Sequence, residues 1–313
     1  MSEILSVNNL TLSYGSFTAL DGLNMSVAKN EIVGLIGPNG AGKTSFIKAL
    51  CGRIKVQSGT IEIDGTVVKA SQSRQELIGL VPQDIGLYSH MTAKENLHTF
   101  SKIMNISGSE SRKAVETALQ AVDMTDKGDV RISALSGGMK RRINVAAAIM
   151  HKPKLIILDE PTAGVDIPAR DSIHRLARQL AKSDMAVLLV THELEQAEAL
   201  CDRILLLADG KKLAEGPPAD ILTKCYKGSR EVMIRFATPP TDEILSTLKP
   251  FKFHQGELPT IWTALTDVNE VTFVSAFMTS IKDGDDLIRE ISVRRPGLNT
   301  LMHHVEKTGE LPC

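Results

Sequence analysis

The chain has 313 residues, of which 42% are hydrophobic, so it can form one large or two ordinary domains with a buried core. Its 36 basic and 37 acidic side chains nearly cancel, which excludes recruitment of nucleic acid or an anionic membrane by net charge alone. The four cysteines form no CxxC pair, which argues against a disulfide framework or a structural zinc site and favours a reducing compartment. The sequence has no basic leader before an apolar run and no stretch of about 18 uncharged apolar residues, so it predicts neither a secretory signal nor a membrane span.

The first predicted elements form a β-rich opening over residues 3–66. The segments "ILSVNNLTLSY", "LNMSV" and "EIVGLIG" are strand-like, and Asp64-Gly65 between "TIEI" and "TVV" is typical of a hairpin turn. A helical insert is predicted next, at about 88–150. Its best evidence is the apolar stripe of "SESRKAVETALQAVDM". This stripe consists of Ala114, Val115, Ala118, Leu119 and Val122.

From residue 154 onward, strands and helices alternate. Strands are predicted at "KLIILD", "MAVLLVT" and "RILLLADG", and helices at "PARDSIHRLARQLAK" and "ELEQAEALC". Such alternation predicts a parallel sheet with helices on its faces, and therefore an α/β fold for residues 1–226.

A second, small α+β domain is predicted over residues 227–313, after a Pro- and Gly-containing stretch at 214–229. Its pattern is strand, helix, strand, helix, strand, in "EVMIRFAT", "TDEILSTLK", "PTIWTALT", "VNEVTFVSAFMTSIK" and "LIREISVR". The acidic segment "KDGDD", at 282–286, is predicted to be a turn, because it lacks the Glu that a calcium loop requires.

The segment "GPNGAGKTS" fits the phosphate-loop pattern G-x-x-x-x-G-K-[ST] and lies between a buried strand and a helix. Its small residues let backbone N–H groups close around phosphate oxygens, and the helix N-terminus adds partial positive charge. Lys43 is expected to reach the β- and γ-phosphates, and Thr44 to hold Mg²⁺. The predicted nucleotide-binding residues of the loop are Gly37, Pro38, Asn39, Gly40, Ala41, Gly42, Lys43, Thr44 and Ser45.

Two carboxylates end the apolar strand "KLIILDE", at the kind of sheet edge where ligands bind. Asp159 is suited to holding Mg²⁺. Glu160, one residue further, points to the other side of the strand and can polarise a water.

A second anion site is predicted where Ser136-Gly137-Gly138 begins a helix. One chain does not obviously bring two such sites to the same triphosphate. Two chains related by two-fold symmetry can do so, with the phosphate loop of one facing the Ser-Gly-Gly of the other.

These motifs resemble the ATP-binding cassette (ABC) family over residues 1 to about 226, and Leu135 to Gly138 match the family signature LSGG letter for letter. Further residues match family positions in family order. The resemblance implies that Tyr14 stacks on adenine, that Gln83 contacts Mg²⁺ and senses the membrane partner, and that the loop ending at Asp166 crosses the dimer interface. It also implies that His192 contacts the γ-phosphate and helps Glu160 position the attacking water.

The same resemblance implies an ATPase that binds ATP and Mg²⁺ and works with partners. The expected partners are a second nucleotide-binding subunit, in a homodimer, and integral-membrane permease subunits docked near residues 83–97. No nucleic-acid partner is expected. The expected location is the cytoplasmic side of the cell membrane, held peripherally by the permease.

Export is the predicted direction of transport, because "LSGGMKRR", "MTAKENL" and the ending "VRRPGLNTLMHHVEKTGEL" resemble the exporter branch of the family. Two alternatives stay open: an import ATPase with a regulatory C-terminal domain, and a non-transport cassette. Neither a nucleic-acid patch at Lys140-Arg141-Arg142 nor a metal site at His303-His304 is predicted. The three basic residues are interpreted as a solvated helix face, and the two histidines lack spaced ligand partners.

Overall fold

The structure is a computed structural model that describes residues 2–68, 76–256, 258–281 and 287–313. It divides into two compact units, Met1–Pro218 and Ala219–Cys313. The predicted boundary after residue 226 lies later, at the end of a helix that belongs almost entirely to the second unit. The segment "KDGDD", predicted as a turn, lies outside the described residues.

The first unit contains strands β1 to β10 and helices α1 to α6. Its strands are β1 Glu3–Tyr14, β2 Phe17–Ala28, β3 Ile32–Ile36, β4 Ser58–Ile63, β5 Thr66–Val67, β6 Ile78–Val81, β7 Leu155–Asp159, β8 Ala186–Val190, β9 Arg203–Ala208 and β10 Lys211–Gly216. Its helices are α1 Lys43–Leu50, α2 Ala93–Ile103, α3 Gly108–Ala121, α4 Gly137–Ile149, α5 Ile167–Lys182 and α6 Leu194–Leu200.

The strands of the predicted β-rich opening form an antiparallel sheet with the order β2-β1-β4-β5, except that β3 ("EIVGLIG") belongs to the central sheet. Asp64 and Gly65 connect β4 to β5 with φ angles of 50° and 74°. Two successive positive φ angles match the right-handed twist of the paired strands, which is why Asp-Gly favours this turn.

The central sheet has the order β10-β9-β3-β8-β7-β6 and is parallel from β9 to β6, as the sequence predicts. Its inner strands β3 and β8 are buried at every residue, because both faces of the sheet are covered. Parallel strands end at the same edge of a sheet. The loops that follow β3, β6, β7 and β8 therefore meet at one edge.

The helical insert predicted at about 88–150 corresponds to α2, α3 and α4. Helix α2 starts with a capping box, in which the Thr92 hydroxyl accepts from the Glu95 N–H and the Glu95 carboxylate accepts from the Thr92 N–H. On α3, the predicted stripe is buried at Val115, Ala118 and Leu119. The insert packs through this stripe, which confirms the helical prediction.

The second unit contains α7 Pro218–Tyr226, β11 Arg230–Phe236, α8 Asp242–Leu248, β12 His254–Gln255, β13 Ile261–Thr266, α9 Glu270–Ser280, β14 Ile288–Arg294 and α10 Leu298–Thr308. Its antiparallel sheet has the order β12-β13-β11-β14, the split β-α-β arrangement of ferredoxin-like folds. The five predicted elements are present. The sequence analysis missed the helix α7, the short strand β12 and the final helix α10.

Alternating residues of β11 divide the second unit's sheet into two faces. Val232, Ile234 and Phe236 join the apolar core of the unit, which includes Phe277 of α9. Glu231 is buried and accepts from Arg294 Nε at 2.5 Å and from Thr300 Oγ1 at 2.9 Å. The buried carboxylate is therefore paired and hydrogen-bonded, as burial of a charge requires.

Within the described ranges, no helix combines the length and the apolar character that a membrane crossing requires.

We expect Gly79→Ala to destabilise the first unit. A Cβ at position 79 of β6 would lie 2.3 Å from the backbone oxygen of Ala148, so the strand and α4 must move apart. The free energy of unfolding should fall by about 1–3 kcal/mol, as for other overpacked cores. Urea denaturation followed by far-UV circular dichroism measures the change.

Gly86→Ala is the matched control, because a Cβ there meets no heavy atom within 4 Å. It should change the unfolding free energy by less than about 0.5 kcal/mol. Equal stability of Gly79→Ala and wild type would contradict the predicted clash.

Candidate functional site

The phosphate loop runs from the end of β3 to the start of α1, as predicted. Gly42 has a φ of 108°, and a Cβ there would lie 2.4 Å from the Ala19 backbone oxygen. A Cβ at Gly37 would lie 2.0 Å from the Leu207 backbone oxygen. Neither position can hold a side chain without moving backbone, so both glycines are required by the close packing of the loop. Asn39 and Gly40, at the tip, are exposed.

Helix α1 begins at Lys43 and is anchored by the buried side chains of Phe46, Ile47 and Leu50. Lys43 Nζ donates to the carbonyl oxygens of Gly37 at 2.7 Å and Pro38 at 2.9 Å, which places the ammonium across the loop. Burial lowers the pKa of Lys43, and the negative charges of Glu160 and Asp159 oppose this shift. Thr44 is exposed and Ser45 is half-buried in the same first turn.

Glu160 follows β7 and lies buried at the parallel edge of the sheet. Its φ of +47° is unusual for a residue with a side chain. The Glu160 N–H donates to the Val190 carbonyl at 2.8 Å, which holds this turn against β8. The left-handed backbone directs the carboxylate toward the loop that follows β8.

The Glu160 carboxylate is bonded to that loop through three groups. Its Oε1 accepts from the backbone N–H of His192 at 2.9 Å and from His192 Nδ1 at 2.7 Å, and its Oε2 accepts from Thr191 Oγ1 at 3.3 Å. An ionised carboxylate only accepts, so Nδ1 is the protonated ring nitrogen and Nε2 can accept or bind a ligand. The His192 side chain is 64% exposed. Glu160 and His192, predicted to act together, are therefore in direct contact.

Asp159 is the last residue of β7 and is half-buried. Burial raises the pKa of the Asp159 carboxyl, and the charge of Glu160 raises it further, whereas Lys43 and Arg141 oppose the increase. Asp159 and Lys43 are thus close enough for each to influence the pKa of the other, and the charge of Glu160 acts on both. Among the described residues, Lys43 nevertheless forms no ion pair with either acid.

The loop after β6 contains Gln83, whose side chain is exposed. The guanidinium of Arg141, on α4, donates from Nη1 to the Pro82 carbonyl and from Nη2 to the Gln83 carbonyl, both at 2.7 Å. Arg141 is only 3% exposed. The expectation that Lys140-Arg141-Arg142 is a solvated face is therefore wrong for Arg141, because its guanidinium is buried against two backbone oxygens.

The signature residues begin α4. Ser136 is exposed, and its hydroxyl accepts from the Met139 N–H at 3.3 Å as the N-cap. A Cβ at Gly138 would lie 2.6 Å from Cβ of Ala169, so this glycine allows α4 to pack on the first turn of α5. Asp166 caps α5 by accepting from the Ala169 N–H at 3.0 Å. Gly137 is exposed beside Ser136.

The structure places the predicted residues in two groups. Lys43, Asp159 and Glu160 interact electrostatically, and His192 bonds to Glu160. Ser136 and Asp166 cap α4 and α5, whose first turns lie so close at Gly138 and Ala169 that a Cβ at position 138 would be 2.6 Å from Ala169 Cβ. Among the described residues, no hydrogen bond or ion pair links Ser136 to the phosphate loop.

Tyr14 ends β1 and is 47% exposed, and it pairs across the hairpin with the exposed Phe17. Its ring is therefore available on the surface, as stacking on a base requires.

The sequence analysis missed Thr191, whose hydroxyl bonds to the Glu160 carboxylate. A hydroxyl directly after an apolar strand that ends at the ligand edge was the signal that could have found it.

A phosphate loop, two carboxylates at the end of another strand of the same parallel sheet and a histidine bonded to the second carboxylate define a P-loop nucleoside triphosphatase. Residues 20–163 match the family model described as ABC transporter. The linearmycin resistance ATP-binding protein LnrL of Bacillus subtilis (strain 168) is 39% identical over 222 residues, which are 71% of this chain and 71% of LnrL. The Nod factor export ATP-binding protein I of Ralstonia nicotianae is 38% identical, covering 71% of this chain and 70% of that protein.

Solved structures of ATP-binding cassettes are similar in fold to this chain. The cbiO1 structure from Clostridium perfringens, part of the ABC transporter complex cbiONQ, has a TM-score of 0.67 and 28% identity, covering 72% of this chain and 92% of cbiO1. A dimeric post-hydrolysis structure of the ATP-binding cassette MJ0796 with ADP and Pi has a TM-score of 0.58 and 26% identity, covering 68% and 98% of the two chains. The chain belongs to the ABC transporter family and is an ATP-binding, ATP-hydrolysing subunit.

We expect Asp159→Asn to raise the thermal midpoint of the nucleotide-free protein at neutral pH. The pKa of Asp159 is higher in the folded chain than in the unfolded chain, so the folded state binds more protons between these two pKa values. Stability therefore falls as pH rises through that window, and the loss is complete above the pKa of the folded state. Asparagine has no carboxyl group to ionise, so the variant does not lose stability in this way.

Differential scanning fluorimetry at neutral pH and at about pH 4.5 measures the effect. The difference in midpoint from wild type should narrow at the lower pH, because protonation of the Asp159 carboxyl is favoured in the folded chain. Asp171→Asn is the control, since Asp171 is exposed on α5. A lower midpoint for Asp159→Asn at neutral pH would contradict the prediction.

Proposed function

We propose that this chain uses ATP and Mg²⁺ to drive export through separate membrane subunits, with the nucleotides bound between two cassettes. The observation that supports the catalytic part best is the fixed Glu160–His192 pair at the sheet edge that also bears the phosphate loop. Export is supported by the names of the relatives, a linearmycin resistance protein and Nod factor export proteins.

The residues at the edge fit a magnesium ion. The hydroxyl of Thr44, the carboxylate of Asp159 and the amide oxygen of Gln83 are the hard oxygen donors that Mg²⁺ prefers. The raised pKa of Asp159 fits as well, because a cation would lower it. When bound, Mg²⁺ neutralises charge on the phosphates. Thr44, Asp159 and Gln83 would hold it, while Lys43 and the loop N–H groups bind the phosphates.

Glu160 is proposed to polarise the attacking water. Its Oε1 is bonded twice to His192, whereas its Oε2 has only one long contact, to Thr191, and so retains capacity to accept from water. The Nδ1 proton of His192 fixes the ring against Glu160, which leaves Nε2 for the γ-phosphate. The pair therefore positions both reactants, and positioning is the main requirement of phosphoryl transfer.

The dimer is proposed from the exposed signature. The N-terminal N–H groups of α4 at Gly137 and Gly138 are suited to an anion, and Ser136 and Gly137 are exposed. A second copy would present its phosphate loop to this site, and Asp166 would lie at the same interface. In that homodimer Tyr14 stacks on adenine, and each site draws on both chains.

Permease docking is proposed at residues 83–97. Ile85 and Tyr88 in this segment are exposed apolar side chains, and Tyr88 packs against Phe100 of α2. Exposed apolar residues near a nucleotide-sensing loop suit a helix of a membrane subunit. Such docking would hold the chain at the cytoplasmic side of the membrane.

Glu160→Gln should keep ATP binding but lower the hydrolysis rate by about 100-fold or more, because the amide keeps the shape and loses the general base. Steady-state ATPase assays and nucleotide binding by equilibrium dialysis measure both effects.

In the Glu160→Gln background, ATP should drive dimerisation. Adding Ser136→Arg should abolish that dimerisation, because it places bulk and charge at the partner's phosphate. Size-exclusion chromatography with light scattering separates the two states.

Two variants serve as controls. Glu195→Gln neutralises an exposed carboxylate of α6 and should hydrolyse ATP at the wild-type rate, and Ser183→Arg adds the same charge at the far end of α5. Hydrolysis by Glu160→Gln within a few-fold of wild type would refute the role of Glu160. An ATP-dependent dimer of the Ser136→Arg variant would refute the arrangement of the interface.

Co-purification tests the proposal that this chain drives export through separate membrane subunits. Glu160→Gln, expressed in its own host at native level and solubilised with its membranes in detergent, should retain a polytopic hydrophobic subunit identifiable by mass spectrometry. Tyr88→Asp in the same background should lose that subunit while keeping ATP binding. Co-purification of ribosomal, DNA-bound or wholly soluble proteins instead would refute export and leave the ATPase assignment intact.

A further inference from the structure

Arg141 is a buried cation that the ATPase proposal leaves without a role. Helix α4 begins at the signature, and Arg141 lies one turn further, with its guanidinium bonded to the Pro82 and Gln83 carbonyls at 2.7 Å each. Asn144, on the next turn, donates from Nδ2 to the Asp84 carbonyl at 3.3 Å. Helix α4 therefore holds the carbonyls of three consecutive residues, 82–84, in the loop after β6, which we call the Gln83 loop.

The bonds to Arg141 suit a positioning role. A guanidinium presents its N–H donors in a rigid fork, so two adjacent carbonyls are fixed relative to each other as well as to the helix. Burial lowers the pKa of Arg141, and the charges of Asp84 and Asp159 oppose that shift. The cation is thus kept charged beside the acid that is proposed to hold Mg²⁺.

The Gln83 side chain has no hydrogen bond of its own among the described residues, and it is exposed. Its position is consequently set by its backbone, and the Gln83 carbonyl is bonded to Arg141. A shift of α4 would move the amide of Gln83, and a shift of the Gln83 loop would move the helix that begins at Ser136.

We infer that Arg141 is a positioning residue that fixes the Gln83 loop relative to the signature helix, so that Gln83 reaches the magnesium site and the two elements move together. The inference rests on the proposed role of Gln83 at Mg²⁺. It goes beyond that proposal by naming the residue through which the loop after β6 and the signature respond to one another.

The first readout needs neither metal nor activity. Hydrogen exchange of the nucleotide-free full chain, followed by mass spectrometry, should be several-fold faster in peptides covering residues 82–90 for Arg141→Met than for wild type. Gln83→Ala should leave that exchange unchanged, because the Gln83 side chain forms no hydrogen bond with any described residue. Asn144→Ala should accelerate exchange less than Arg141→Met, since it releases one carbonyl at a longer distance.

The second readout is the Mg²⁺ dependence of ATP hydrolysis. Arg141→Met and Gln83→Ala should each raise the half-saturating Mg²⁺ concentration and lower kcat by about tenfold to 100-fold, the usual effect of a misplaced positioning group. The double variant should be no worse than the more severe single variant, because the two residues act in series. Arg141→Lys should recover part of the loss.

Lys140→Met is the matched control, because it removes the same charge from the same helix without touching the Gln83 loop. It should behave as wild type in both readouts. Circular dichroism and thermal melts identify any variant that fails to fold. If Arg141→Met fails to fold, Asn144→Ala replaces it in both the hydrogen-exchange and the Mg²⁺-dependence measurements.

The outcomes separate the two proposals. An unchanged Mg²⁺ dependence for Gln83→Ala would refute the proposed role of Gln83, and the inference with it. If Gln83→Ala shifts the Mg²⁺ dependence but Arg141→Met does not, or if the double variant shows multiplied losses, the inference alone is overturned. Unchanged exchange in Arg141→Met also overturns it.

Discussion

The parallel direction of the central strands is the constraint on which the site depends. Because β3, β6, β7 and β8 all run the same way, the residues that follow them in sequence meet at one edge, although they are far apart in the chain. The phosphate loop, the Gln83 loop, Glu160 and His192 each come from a different strand. Burial of both faces of the sheet fixes that edge, and the chemistry follows from what each strand end holds.

The charges at this edge are arranged for a ligand rather than for one another. Lys43 donates to two carbonyls of its own loop instead of pairing with Asp159 or Glu160, and the pKa of Asp159 is raised by burial and by its acidic neighbour. Such an arrangement reduces the stability of the folded chain on its own. In the proposed function the same arrangement favours binding of Mg²⁺ and the phosphates, which is the usual compromise between stability and function at an active site.

The fold and most of the site could be predicted from the sequence, because their signals are local. The hairpin at Asp64-Gly65 needs only two residues, and the phosphate loop is one contiguous segment between a strand and a helix. The apolar stripe of α3 likewise repeats within one helix. In each case neighbouring residues specify the structure.

What the sequence did not reveal depends on contacts between distant segments. Arg141 was interpreted as solvated because two basic neighbours surround it, and its partners are carbonyls of Pro82 and Gln83, which carry no sequence signal. Thr191 acquires its contact with Glu160 only when β7 and β8 pair. Strand β12 has two residues, too few for a periodic pattern, and it is defined by its pairing with β13.

The contact between Gly138 and Ala169 has a consequence for how this sequence can change during evolution. Since a Cβ at 138 would lie 2.6 Å from Cβ of Ala169, neither residue can be enlarged unless α4 and α5 separate. Separation would displace Ser136 and Asp166, which cap these two helices. Positions 138 and 169 should therefore both retain small residues among homologues wherever Ser136 and Asp166 keep their places.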